Sequence, residues 1–363
     1  MSKVKDLIAE RHIPDALIMN SGKKVTSEKD FIKRREEIKK ILMEKEYGII
    51  PEAPDHFRVY TKTIDDCFCA GKATLINLVI ICEKNEVEFS FPAVSVIPNS
   101  EGRHPAFVHI NFRPNVPDKY MYSEEIVDRG YATFSFCYED VAKDGADFDE
   151  KCAKHLKDKR QKKNSPGKIA MWAWAAMRIM DYVETLPNID INNVAVIGHS
   201  RLGKTALLAG AFDERFKYII SNSSGCSGAA ISRGKTGETP EMIADTFPFW
   251  FCQRYVDNAS KFELCGYDQN FLLTLSVPRN IMIGSAEEDL WADPVSEFLC
   301  AASLNEAYEL YGMHGLVHHD EIPMAKCVLD EGEVLYQIRH GKHYFSREDW
   351  NTYMDFIDKK MKK

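Results

Sequence analysis

From about residue 105 the chain repeats one unit: an apolar run of strand length, a short polar loop, then a helical pattern. "PAFVHIN" (105–111), "YATFSFC" (131–137), "VAVIGHS" (194–200), "IMIGSAE" (281–287) and "VLYQIRH" (334–340) are such runs. Runs that are apolar at nearly every position are buried on both faces, which requires a mostly parallel sheet covered by helices on each side. The intervening helical pattern is clearest in "GKIAMWAWAAMRIMDYVETL", where Ile169, Trp172, Ala173, Ala176, Met180 and Val183 recur at three- and four-residue steps. Upstream, 57–64, 72–82 and 87–97 are extended segments joined by polar turns such as "EKNE", which predicts an antiparallel start to the same sheet.

Residues 27–46 form a charged amphipathic helix with Phe31, Ile38, Ile41 and Leu42 on one stripe and Ser27 as its N-cap. No repeat or Gly/Ser-rich linker divides the chain. The expected organisation is an N-terminal extension over 1–50 and one α/β catalytic domain over 51–363.

Composition narrows the function. A net charge of −8 argues against nucleic acid as the partner. The longest apolar run, "TLINLVIIC" (74–82), is strand-sized, so no membrane span is expected. Asp6, Glu10 and Arg11 interrupt the N-terminus where a signal peptide needs an apolar core, which predicts a cytoplasmic protein. The ten cysteines show no disulfide spacing, and Cys67-x-Cys69 lacks a second pair, so both read as strand residues. His314, His318 and His319 in "MHGLVHHDEIP" lack helical metal-ligand spacing and read as a polar loop near the site entrance. The basic run 151–167 reads as a solvated loop or helix face. No metal and no cofactor is expected.

The chemistry centres on "VAVIGHSRLGKTALLAG" (194–210). Ser200 lies between a buried strand and a helix, in a turn that lifts a hydroxyl above the sheet and aims the helix N-terminus at it. The same position suits a serine that merely caps the helix. In the α/β-hydrolase fold an acid and then a histidine follow the nucleophile, each after a later strand. Asp289 follows "IMIGSAEE" and His343 follows "VLYQIRH", in that order. His199 is expected to point into the sheet packing. His340 ends its strand, whereas His343 lies in the loop beyond it.

Gly198-His199-Ser200-Arg201-Leu202-Gly203-Lys204 resembles the G-x-S-R-x-G-K motif of the glucuronoyl esterases, carbohydrate esterase family 15, and of related bacterial acetylxylan-esterase-like proteins. "RREEIKKILMEKEYGIIP", "EEIVDRGYATFSFCYED", "IAMWAWAAMRIMDYVET", "SAEEDLWADPVSEFLCAA" and "IRHGKHYFSREDW" resemble family segments in family order, covering the chain from about residue 30. The resemblance implies an α/β-hydrolase fold and a serine esterase acting on a carbohydrate ester, a glucuronoyl or 4-O-methyl-glucuronoyl ester first. An acetylxylan-type deacetylase and a carbohydrate-binding protein with an impaired triad are the alternatives.

By the same resemblance Ser200 is the nucleophile, His343 the base, and Arg201 an oxyanion donor, by its side chain and its backbone N–H. Lys204 contacts substrate hydroxyls and Trp291 packs on the uronate ring. Many members carry the acid as a glutamate at the position held here by Ser223, which supplies no charge. Among the later acids, Asp293 precedes Pro294 and fits a helix N-cap, and Glu288 is expected to be solvated. Asp289 is therefore assigned to His343.

Overall fold

The computed structural model describes residues 3–158, 160 and 162–362. Ten strands form one sheet: β1 His56–Cys67, β2 Ala73–Lys84, β3 Val87–Pro98, β4 His104–Asn111, β5 Ala132–Cys137, β6 Ile189–His199, β7 Tyr218–Asn222, β8 Asn280–Ala286, β9 Cys327–Leu329 and β10 Val334–Arg339. Their spatial order is β1-β2-β3-β5-β4-β6-β7-β8-β10-β9. Strands β5 through β10 in that order pair in parallel, while β1–β3 and the terminal β9 pair antiparallel. This is the α/β-hydrolase arrangement expected from the sequence, mostly parallel with an antiparallel start.

Strand periodicity explains why both faces are covered. Along β6, Val194 and Val196 join one buried cluster, while Ala195 and Ile197 join another on the opposite face. The first cluster holds the helix Lys168–Val183 and the second the helix Arg347–Met361. The helix Glu28–Lys45 is capped by Ser27, whose hydroxyl accepts from Asp30 N at 3.2 Å. Phe31, Ile38 and Leu42 of that helix are fully buried within the first cluster.

The chain leaves central β4 to form β5 on one side, then returns to form β6 on the other. At such a reversal the loops beyond the strand C-termini diverge and open a crevice, where open α/β sheets hold their sites. The residue after β6 is Ser200.

Two sequence expectations need correction, and two strands lie outside the runs read from the sequence. Strands β7 and β9, five and three residues long, are too short for a periodicity signal. Cys67 ends β1, but Cys69 is no strand residue; it sits in a tight turn at φ 52°. The basic run is only partly solvated, because Cys152, Ala153 and Leu156 are buried beneath its charges.

Candidate active site

Ser200 adopts φ 58° and ψ −128°, outside the regions L-residues favour. Its N–H donates to Asn222 O at 2.8 Å, tying the turn to β7. Its carbonyl accepts from Gly203 N at 2.8 Å and Lys204 N at 3.2 Å, so the helix Arg201–Phe212 starts at once. A Cβ on Gly198 would lie 2.1 Å from Leu202 O, so only glycine permits this reversal. Ser200 holds the N-cap position, yet its hydroxyl makes no capping bond.

Parallel pairing of β8 with β10, Ala286 opposite Arg339, releases both following loops at the same end of the sheet. Asp289 Oδ2 there meets His343 Nδ1 at 2.7 Å. The Asp289 side chain is 4% exposed, so water does not compete for that carboxylate. Glu288 is exposed, and Asp293 caps the helix Pro294–Ala302, accepting from Ser296 N at 3.1 Å. His340 is instead paired with Glu287. Ser223 is buried at φ 47°, and its hydroxyl has no hydrogen-bond partner.

His199, expected in the sheet packing, is buried there, next to His343. Its ring centroid lies 4.5 Å from that of His343, and it stacks on Phe345 at 5.8 Å. Nδ1 is 2.8 Å from Asn222 Oδ1. Burial pushes its pKa down to about 3, so this imidazole stays neutral beside His343.

A cavity of about 360 Å³ brings together Ser200, Arg201, Lys204, Asp289, Trp291 and His343. All six residues singled out from the sequence line it. Arg201 Nη1 pairs with Asp144, which is the structural pairing a cation here invites. The same guanidinium lies 4.8 Å from the Trp250 ring centroid, and its Nε is buried without a partner. Lys204 is nearly buried; its Nζ donates to Ser224 O at 2.5 Å and Cys226 O at 2.6 Å, and lies 3.8 Å from Glu238. Trp291 is 54% exposed at the rim.

Sequence reasoning missed Glu238, Phe247 and Trp250, which also line the cavity. They come from a long excursion between β7 and β8, and only the aromatic density of "TFPFWF" marked it. The His314–His319 region, expected near the entrance, contributes no lining residue to this cavity. It runs toward edge strand β9 and packs near the N-terminus, where Val4 N donates to Asp320 Oδ1 at 2.9 Å. Among the described residues no group of three or more His, Cys, Asp or Glu side chains is arranged to hold a metal ion, and no helix is long and apolar enough to cross a membrane.

The family model for fungal glucuronyl esterases matches residues 80–312. A carbohydrate esterase from an unknown prokaryotic organism is 33% identical, spanning 96% of this chain and 89% of its own. The chain belongs to the glucuronoyl esterase family. This makes it a carboxylic-ester hydrolase. A 4-O-methyl-glucuronoyl methylesterase of Wolfiporia cocos is 27% identical, spanning 94% of this chain and 86% of its own. The solved glucuronoyl esterase of Solibacter usitatus superposes with a TM-score of 0.88 at 30% identity, covering 95% of this chain and 97% of that one. A promiscuous family 15 esterase from a marine bacterial metagenome superposes at 0.85 and 32% identity, covering 95% and 96%. In this glucuronoyl esterase family member Ser223 supplies no charge, and the bond of Asp289 to His343 gives that histidine a carboxylate from the loop after β8.

Proposed function

We propose that the enzyme cleaves a glucuronoyl or 4-O-methyl-glucuronoyl ester through an acyl-enzyme on Ser200. The observation that carries this reading is the 2.7 Å bond between His343 Nδ1 and Asp289 in a cavity that also holds the strained Ser200. With Nδ1–H held by Asp289, the other ring nitrogen is left to accept the Ser200 proton as Oγ attacks the ester carbon. The oxyanion then meets Arg201. Its backbone N–H opens the helix and has no intrahelical acceptor, and its Nε–H is buried without a partner. Protonated His343 returns the proton to the leaving alcohol, and water repeats the sequence to release the acid.

Ring recognition rests on three side chains. Two of the three Lys204 donors are spent on carbonyls, which leaves one for a sugar hydroxyl beside the acceptor Glu238. Trp291 offers an exposed face to the pyranose ring. The non-catalytic alternative has its best support in Ser223, and a carboxylate on His343 speaks against it. Deacetylation keeps one support, the promiscuity ascribed to the marine relative.

An ester panel separates the substrate readings. Methyl glucuronate, acetylated xylo-oligosaccharides and p-nitrophenyl acetate are compared by kcat/KM. The uronate ester should be cleaved at least tenfold more efficiently than the acetylated oligosaccharide. The reverse order would replace this reading with deacetylation.

A further inference from the structure

Arg201 is a long, flexible cation, and a cation that stabilises an oxyanion must be held in place before the reaction. We infer that Asp144 is the positioning residue that holds it. This rests on the oxyanion role proposed for Arg201. Asp144 lies in the loop after β5, 57 positions upstream of its partner, and its side chain is only 9% exposed.

Both oxygens of this carboxylate are engaged, two of the three partners being the cavity-lining residues Arg201 and Trp250. Oδ1 accepts from Trp250 Nε1 at 2.6 Å. Oδ2 accepts from Arg201 Nη1 and from the Tyr138 hydroxyl, the latter at 3.1 Å. Trp250 in turn stacks on Phe247 with centroids 3.9 Å apart and planes 2° from parallel, and the Arg201 guanidinium lies over that pair. One side chain therefore fixes both the cation and the aromatic plate it rests on.

The edge that Asp144 grips decides the consequence. It takes Nη1, so the opposite edge of the planar guanidinium, which carries Nε–H, is left over. That Nε is the donor buried without a partner. Asp144 directs the free edge of Arg201 by occupying the other one. Without it the side chain regains its rotamers, and much of the population leaves the position it holds beside Ser200 in the cavity.

The test is a double-mutant cycle on the full chain: wild type, Asp144→Ala, Arg201→Ala and the double variant, assayed with p-nitrophenyl acetate. Any ester passes through an oxyanion, so this substrate keeps the result independent of the uronate assignment. Asp144→Ala should lower kcat by roughly 10- to 100-fold with KM changed less than threefold. In the Arg201→Ala background the same substitution should cost less than twofold. An equal fold-loss in both backgrounds overturns the inference and leaves the role of Arg201 standing. An undiminished kcat for Arg201→Ala overturns the role of Arg201 and the inference with it. If Asp144→Ala does not fold, Asp144→Asn, which keeps the shape and one acceptor oxygen, is carried through the same cycle, judged by the same loss of effect beside Arg201→Ala.

Discussion

Replacing Asp289 by Asn removes one charge and changes almost no volume. Two losses follow. The imidazolium formed when His343 takes the Ser200 proton loses a neighbouring carboxylate. Unit charges about 4 Å apart attract by about 4 kcal/mol at an effective dielectric of 20, which corresponds to roughly a 10³-fold change in rate. The Asn amide also presents N–H toward Nδ1 and selects the wrong imidazole tautomer, an effect that in a serine protease triad reaches about 10⁴-fold in kcat. His343 is 44% exposed, so solvent screens part of the first effect. The expected loss is therefore about 10³-fold in kcat, with KM little changed. The fold should survive, because Asn retains the oxygen that accepts from Ala292 N at 3.4 Å. Steady-state hydrolysis of p-nitrophenyl acetate and a thermal melt report both quantities. A kcat within tenfold of wild type, with Glu288→Gln or Asp293→Asn crippling instead, would refute the assignment.

Arg201→Ala should lower kcat by about 100-fold or more, the usual cost of one oxyanion donor, with KM changed less than threefold; an effect confined to KM would make Arg201 a ground-state binding residue. Gly198→Ala should destabilise the fold by about 3 kcal/mol or more, because the new methyl would lie 2.1 Å from Leu202 O; an unchanged urea midpoint would contradict the elbow geometry. Glu46 is fully buried against Gln269, and burial raises its pKa to about 7. The folded state then holds a proton that the unfolded chain releases between about pH 4.5 and pH 7, so stability falls as pH rises through that window. Glu46→Gln should reduce the drop in melting temperature between pH 5 and pH 7.5, leaving the share owed to Glu297, raised in the same way; an undiminished drop would contradict the linkage.

The parallel strands could be read from sequence because burial on both faces leaves an apolar signature within each run. Strand β7 lacked the length to show one. That Ser200, Asp289 and His343 come together could be read because a sheet of this topology presents its loops in chain order, and each residue closely follows a strand that periodicity identifies. The partners that depend on tertiary closure left no local trace. Asp144 reaches Arg201 across 57 positions from an irregular loop, and Glu238, Phe247 and Trp250 sit on an excursion whose path no periodicity specifies. The same limit misplaced the His314–His319 region: its residue types suggested a polar loop near the site entrance, but the chain carries it to the sheet edge.

The central claim is that Ser200 is an activated nucleophile, and a fluorophosphonate probe tests it directly, because only an activated serine reacts. Labelling followed by peptide mapping should place one adduct on Ser200, absent from Ser200→Ala and strongly slowed in His343→Ala. An unlabelled wild-type protein, or an adduct on a different serine, would contradict it.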